Sequence, residues 1–245
     1  PRQVLRILHT NDFHGKLTES RLADLRSLRG GCDLYFDCGD LIRAGNLAVP
    51  LTRDPGWAAL ADLRCTASVL GNRETHPLEF AFRKKMEGAA HPVLVSNLFR
   101  KEAKTMVFPP SLQLEVEGLR VGVFGVMVPM VTSAMKTAAA SSYLWTQPIE
   151  EARKQVAELR NKVDLVIALT HIGHARDREL AEQVPGIDLI LGGHSHTVLV
   201  EPVLVGTTWI AQTGSHGRHA GVYEVRPGSV RGGLHRLGSE GPQTD

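Results

Sequence analysis

Residues 4–14 read Val-Leu-Arg-Ile-Leu-His-Thr-Asn-Asp-Phe-His, a β-rich run that ends in two metal-ligating residue types. Val4 to His9 has the pattern of a strand. Asp12 and His14, two apart in extended chain, point to one side and can grip one ion between them. The same arrangement, a strand with polar residues at its exit, recurs along the chain. Gly39-Asp40 follows Leu34 to Asp37, Gly71-Asn72 follows Ser68 to Leu70, His171 follows Leu165 to Thr170, and His194 with His196 follow Leu189 to Leu191. In an open α/β sheet, the ends of neighbouring strands converge on one rim, which is where such sheets bind ligands.

Helical patterns fill the intervals. Leu17 to Leu28 sets Leu17, Leu22, Leu25 and Leu28 on one broad face, and Pro55 to Leu63 reads as a second helix. Pro77 suits the first turn of a third, running to Met86, and Val93 to Val95 reads as a strand. Gln113 to Val126 reads as a hairpin around Glu117-Gly118. Helices are expected at Ile149 to Lys162 and Arg176 to Gln183, with short strands and Gly-rich turns from Val203 to Val225. Val128 to Gln147 has no clear period and is expected to be a mobile excursion. The pattern predicts a single α/β layered domain over residues 1–228 that ends in antiparallel strands, followed by a polar tail over 229–245.

Composition excludes several classes. With 245 residues, 42% of them hydrophobic, the chain can bury a sizeable core, so disorder is ruled out. The 28 Lys and Arg nearly balance 26 Asp and Glu, leaving no basic footprint for a nucleic-acid polymer or an anionic membrane. Cys32, Cys38 and Cys65 form neither an even set nor a C-x-x-C pair, which excludes a disulfide framework and a thiolate zinc site. No stretch approaches the roughly 20 apolar residues of a membrane span. Without a signal-segment pattern near Pro1, a cytoplasmic location is expected.

The strand exits assemble Asp12, His14, Asp40, Asn72, His171, His194 and His196. Asp40 is the further carboxylate placed after a strand and a glycine, a natural bridge between two cations. Imidazole and carboxylate donors suit Mn, Fe, Co, Ni or Zn better than Ca or Mg.

The ordered series Asp12-Phe13-His14, Gly39-Asp40, Gly71-Asn72, Thr170-His171-Ile172-Gly173 and Gly192-Gly193-His194-Ser195-His196 resembles the calcineurin-like metallophosphoesterase superfamily. Leu8-His9-Thr10-Asn11-Asp12, Ser96-Asn97-Leu98 and Val121-Gly122-Val123-Phe124-Gly125 are similar to its 5′-nucleotidase branch, so the resemblance spans about residues 4–225. It implies a four-layer αββα sandwich with two divalent metal ions, manganese first, and zinc, iron, cobalt or nickel as alternatives. Asp12, His14, Asp40 and His196 would hold one ion, and Asp40, Asn72, His171 and His194 the other. Such a pair, roughly 3.5 to 4 Å apart, activates hydroxide for attack on phosphorus. The implied partner is a small phosphate ester, nucleotide-like.

One departure stands out. The family usually follows the Asn ligand with a histidine that contacts phosphate and assists the leaving group, and its nucleotidase branch places an acidic residue three positions later. Here those positions are Arg73 and His76. Arg73 can stabilise phosphoryl charge but cannot release a proton near neutral pH. A lost general acid costs about 10²- to 10⁴-fold for leaving groups that need protonation. His76 is the replacement acid in sequence reach, which makes Arg73 and His76 the candidate catalytic pair. Asn72, Arg73, His174 and Arg218 are the candidate substrate contacts, and His216 lies in a loop expected near the site. Two alternatives accompany the nucleotidase-like reading: a phosphodiesterase acting on cyclic nucleotides or small diesters, and a weakened metal- or nucleotide-binding protein. Relatives also carry a C-terminal nucleotide-selecting domain, which these residues are not expected to contain.

Overall fold

The computed structural model describes residues 4–238. Two sheets face one another, and the strand alternation shows why. In β1 (Leu5–Thr10), Leu5 and Ile7 enter the core between the sheets while Leu8 packs outward against helices. Parallel pairing joins β1 to β2 (Leu34–Asp37) and β2 to β3 (Ala67–Ser68). The outer face of this sheet is covered by α1 (Glu19–Gly30) and α2 (Pro55–Asp62) through Leu22, Leu25, Trp57 and Leu60. Thr18 caps α1 by accepting from the Arg21 N–H, and Asp54 caps α2 by accepting from that of Gly56. The third helix, α3 (Glu79–Met86), begins after Pro77, with Leu78 as its cap residue, so the expected start at Pro77 is two residues early.

The ribbon strand β4 (Leu98–Arg100) precedes the hairpin β5 (Ser111–Val116) and β6 (Leu119–Met127). Glu117 and Gly118 both take positive φ, 52° and 78°, as a two-residue hairpin turn demands. Residues 128–147 are not the patternless excursion expected from sequence: they contain a short 3₁₀ turn, Lys136–Ala140, and β7 (Tyr143–Trp145), which pairs antiparallel with β4. Val93 makes a single bridge to Ser68 where a strand was expected.

The second sheet runs through β8 (Leu165–His171), β9 (Leu189–Leu191), β10 (Val203–Val205) and β11 (Thr208–Ala211), in the spatial order β10-β11-β9-β8-β6-β5. Leu165, Ile167 and Leu169 point into the inter-sheet core, while Val166 and Ala168 meet α4 (Pro148–Leu159) and α5 (His174–Gln183) on the outside. Helices, sheet, sheet, helices: the four-layer αββα sandwich is present. The last strands, β12 (His219–Arg226) and β13 (Ser229–Arg236), return to the first sheet, giving the order β13-β12-β1-β2-β3. The polar tail expected from residue 229 is therefore corrected to a paired strand through Arg236; residues 239–245 lie outside the described residues. No helix among the described residues is long and apolar enough to cross a membrane.

Candidate metal centre

The rim is shared by two sheets, as the αββα sandwich implied by the resemblance requires and the strand pattern alone does not show. Exits of β1, β2 and β3 deliver Asp12, His14, Asp40 and Asn72, while β8 and β9 deliver His171, His194 and His196. The loops are stitched together by their backbones: Asp12 N–H donates to Gly39 O at 2.9 Å and His14 N–H to Asp40 O at 2.8 Å. His194 N–H donates across the sheets to Asp12 Oδ2 at 2.9 Å. Asp12, His14, Asp40, His194 and His196 all have φ between 50° and 78°, a left-handed conformation that is uncommon outside glycine and clusters at functional sites. Gly71 and Gly193 let these loops approach. A Cβ on Gly71 would stand 2.2 Å from Asp40 Oδ1, and one on Gly193 would stand 2.7 Å from Cys38 O.

All seven predicted donors meet. His14 Nε2 and His196 Nε2 each lie 3.3 Å from Asp12 Oδ1 and 3.0 Å from one another. His171 Nε2 lies 3.2 Å and His194 Nδ1 3.0 Å from Asn72 Oδ1. Asp40 stands between the two groups, its Oδ2 3.8 Å from His14 Nε2 and its Oδ1 3.6 Å from His171 Nε2. Donors bound to one ion at about 2.1 Å stand about 3.0 to 3.4 Å apart, so the spacings around Asp12 and Asn72 suit first-row divalent ions, and the Asp40 oxygens lie a few tenths of an ångström farther out. The donor chemistry fits too, because His171 Nδ1 lies 2.6 Å from the Cys38 carbonyl, which fixes the proton there and leaves Nε2 free to bind.

Electrostatics couple the two groups. Burial pushes the Asp12 carboxyl up, but hydrogen bonds with His14 and Asn11 and the charge of His171 hold it below its ordinary value. Burial likewise opposes protonation of His171, and the Asp40 and Asp12 charges outweigh it, raising its pKa. His194 is lowered by burial and by the neighbouring His171.

Two supporting residues escaped sequence reasoning. Glu74 is buried, and its Oε2 accepts from Asp40 N–H and Gly71 N–H, both at 2.9 Å, while Oε1 accepts from Ile42 N–H at 3.1 Å. Burial and the nearby Asp40 charge raise its pKa. Lys85 is also buried, and its Nζ, with three N–H donors, sits 2.7 to 3.1 Å from four carbonyls, those of Gly45, Asn46, Arg73 and Thr75. Burial pulls its pKa down to about 8. The one sequence signal for Glu74 was its place in Gly71-Asn72-Arg73-Glu74; Lys85 gave none. Glu74→Gln turns an amide NH2 toward a backbone N–H, and should weaken metal binding by about 10- to 100-fold in titrations of metal-free protein. Unchanged affinity would show that these three hydrogen bonds do not position Asp40.

The remaining predicted residues are placed unevenly. Arg73 N–H donates to Asp40 Oδ1 at 2.8 Å, its Nε lies 4.0 Å from Asp40 Oδ2, and its Nη1 donates to Arg43 O at 3.1 Å. With His14, Lys16, Arg43 and His216 it lines a cleft of about 320 Å³. His76 is different: its Nδ1 accepts from Leu78 N–H at 3.0 Å, and no hydrogen bond or ion pair joins it to the seven donors among the described residues. That contact braces a loop, so the geometry offers no support for the acid role expected of His76. His174 opens α5, its N–H donating to Ser195 Oγ at 2.9 Å. Arg218 is exposed, tied through its backbone to Ser215 and Leu237. No side-chain hydrogen bond or ion pair joins either residue to the seven donors among the described residues. His216, by contrast, stacks on His14 with ring centroids 5.0 Å apart.

The two-sheet sandwich thus gathers N and O donors at one rim, with Asp40 between two groups. The family profile described as calcineurin-like phosphoesterase matches residues 5–198, and the chain belongs to that family. It is 28% identical to a 5′-nucleotidase of Vibrio cholerae, an alignment covering 92% of this chain and 50% of that protein. It is 29% identical to the trifunctional nucleotide phosphoesterase protein YfkN of Bacillus subtilis, over 90% of this chain and 18% of that one. Thus the chain spans about half the length of these curated relatives, or less. In fold it is similar to the 5′-nucleotidase precursor of Thermus thermophilus, with a TM-score of 0.75 at 24% identity, over 96% of this chain and 54% of that one.

Proposed function

We propose that the chain is a two-metal phosphohydrolase acting on phosphate esters, nucleotides foremost. The observation that carries this reading is Asp40, whose two oxygens face different donor groups. Asp12, His14 and His196 would hold one ion on the Oδ2 side, and Asn72, His171 and His194 the other on the Oδ1 side. Bound there, the ions would supply Lewis acidity for phosphoryl charge and make a neighbouring water more acidic. The chain's own residues orient the rest. Asn46 Oδ1 accepts from Asn72 Nδ2 at 2.8 Å, which turns Asn72 Oδ1 toward the histidines. Arg73 sets a permanent guanidinium charge beside Asp40, suited to the oxygens of a transferring phosphoryl group.

A second reading concerns the ester type. Arg73 stands where the resemblance implies a proton-donating histidine, and His76 is engaged elsewhere. Esters whose leaving groups need no proton, such as aryl mono- and diesters of acidic alcohols, are therefore favoured over alkyl esters. The test of the main reading is metal analysis in saturating Mn²⁺ followed by a panel of phosphate mono- and diesters. Two ions per chain with metal-dependent phosphate release are expected. Fewer than two ions would sink the two-metal assignment, and loaded protein that turns over no ester would leave a binding role instead.

A further inference from the structure

Beside the centre lies a second cavity, of about 400 Å³, bounded by Leu47, Leu78, Met130, Val131 and Trp145, with Asn46 and His76 among its polar margin. The volume falls in the range that encloses small organic ligands. Leu47 and Leu78 are left 75% and 41% exposed at a place where burying them would be favourable. Continuity with the metal centre is direct: Asn46, on the cavity wall, holds Asn72, whose Oδ1 faces the histidine donors. Lys85 fixes the same wall by binding the carbonyls of Asn46 and Thr75 together with that of Arg73. A phosphoryl group at the centre would thus have an ordered, apolar space within one side chain of it.

From this continuity we infer that the cavity seats the apolar part of the ester's alcohol group, so that, among esters of alcohols of similar acidity, a larger apolar portion raises kcat/KM. The inference rests on the phosphohydrolase reading and deepens it. Ethyl and hexyl phosphate release alcohols of similar acidity, so their ratio of kcat/KM isolates the contact with the chain. Hexyl phosphate should be favoured at least about tenfold, given the free energy of each buried methylene. Leu47→Asp, a change at an exposed side chain, should cut that ratio at least about fivefold. Binding is read independently in metal-free protein, where 1-naphthol should quench tryptophan fluorescence and Trp145→Phe should remove the response. That variant keeps an aromatic ring in the core, and the indole Nε1 has no hydrogen-bond partner to lose.

Equal use of the two esters, or a ratio untouched by Leu47→Asp, overturns the inference. So does an absence of naphthol binding. Self-association that Leu47→Asp abolishes without changing the ratio would overturn it in favour of a contact between copies of the chain. If naphthol binds but no ester is hydrolysed, the phosphohydrolase reading falls and takes the leaving-group assignment with it, leaving an apolar-ligand site.

Discussion

Asp40→Asn is expected to lower phosphoester kcat/KM by more than about 10²-fold, the upper end of what outer-shell changes cost a metal site, and to release one ion in preference to the other. The asymmetry follows from Arg73. Its backbone N–H donates to Asp40 Oδ1, so an asparagine would turn its own oxygen to that donor and keep it. The amide NH2 would then face His14, where the carboxylate presents Oδ2. A group with no lone pair to offer replaces a charged donor on the Asp12, His14 and His196 side, while the Asn72, His171 and His194 side retains an oxygen. Metal analysis should find close to one ion per chain. Two tightly held ions with undiminished turnover would show that Asp40 is not the bridge.

Arg73→His, combined with His76→Asp to restore the acidic residue three positions on, is expected to raise turnover of ethyl phosphate by about 10²-fold, the lower edge of a general acid's contribution. Nitrophenyl phosphate should gain far less, because its leaving group departs without a proton. The difference between the two substrates is the diagnostic, since a general improvement in folding or metal loading would raise both. Loss of the guanidinium charge works against the gain and bears on the two esters alike. Should ethyl phosphate show no selective gain, the account of Arg73 as a missing acid fails.

The donor set was legible because its chemistry coincides with position. Asp12, His14, Asp40, Asn72, His171, His194 and His196 each follow a strand, and strand exits can be read from local pattern. The partition into two sheets was implied by the family resemblance, but which strand joins which sheet could not be read from local pattern. Buried parallel strands such as Leu165–His171 read as apolar runs whichever sheet they join, and the pairing of β12 with β1 is a contact between opposite ends of the chain. The strand Ser229–Arg236 was hidden for the opposite reason: it lies at a sheet edge, and its glycines, arginines and mostly uncovered side chains resemble a solvated tail. Residues 143–145 gain their strand character from Leu98–Arg100, some 45 positions earlier, which no local period reveals. Glu74 and Lys85 act on backbone groups of distant loops, and nothing in their immediate neighbours announces those partners.

The left-handed backbone at five of the seven donors has a consequence for how such a protein can diverge. Each of those donors is aimed by a turn of fixed length, and one inserted residue would swing it off target. The apolar cavity is bounded differently: the stretch around Met130 contributes no donor and no contact that orients one, while the stretch beside Leu47 is tied to the centre through Asn46 and Lys85. Reactive centre and the Met130 side of the wall are therefore separable, whereas the Leu47 side is coupled to the donors. New substrate ranges can arise by length variation on the Met130 side, with the chemistry inherited intact.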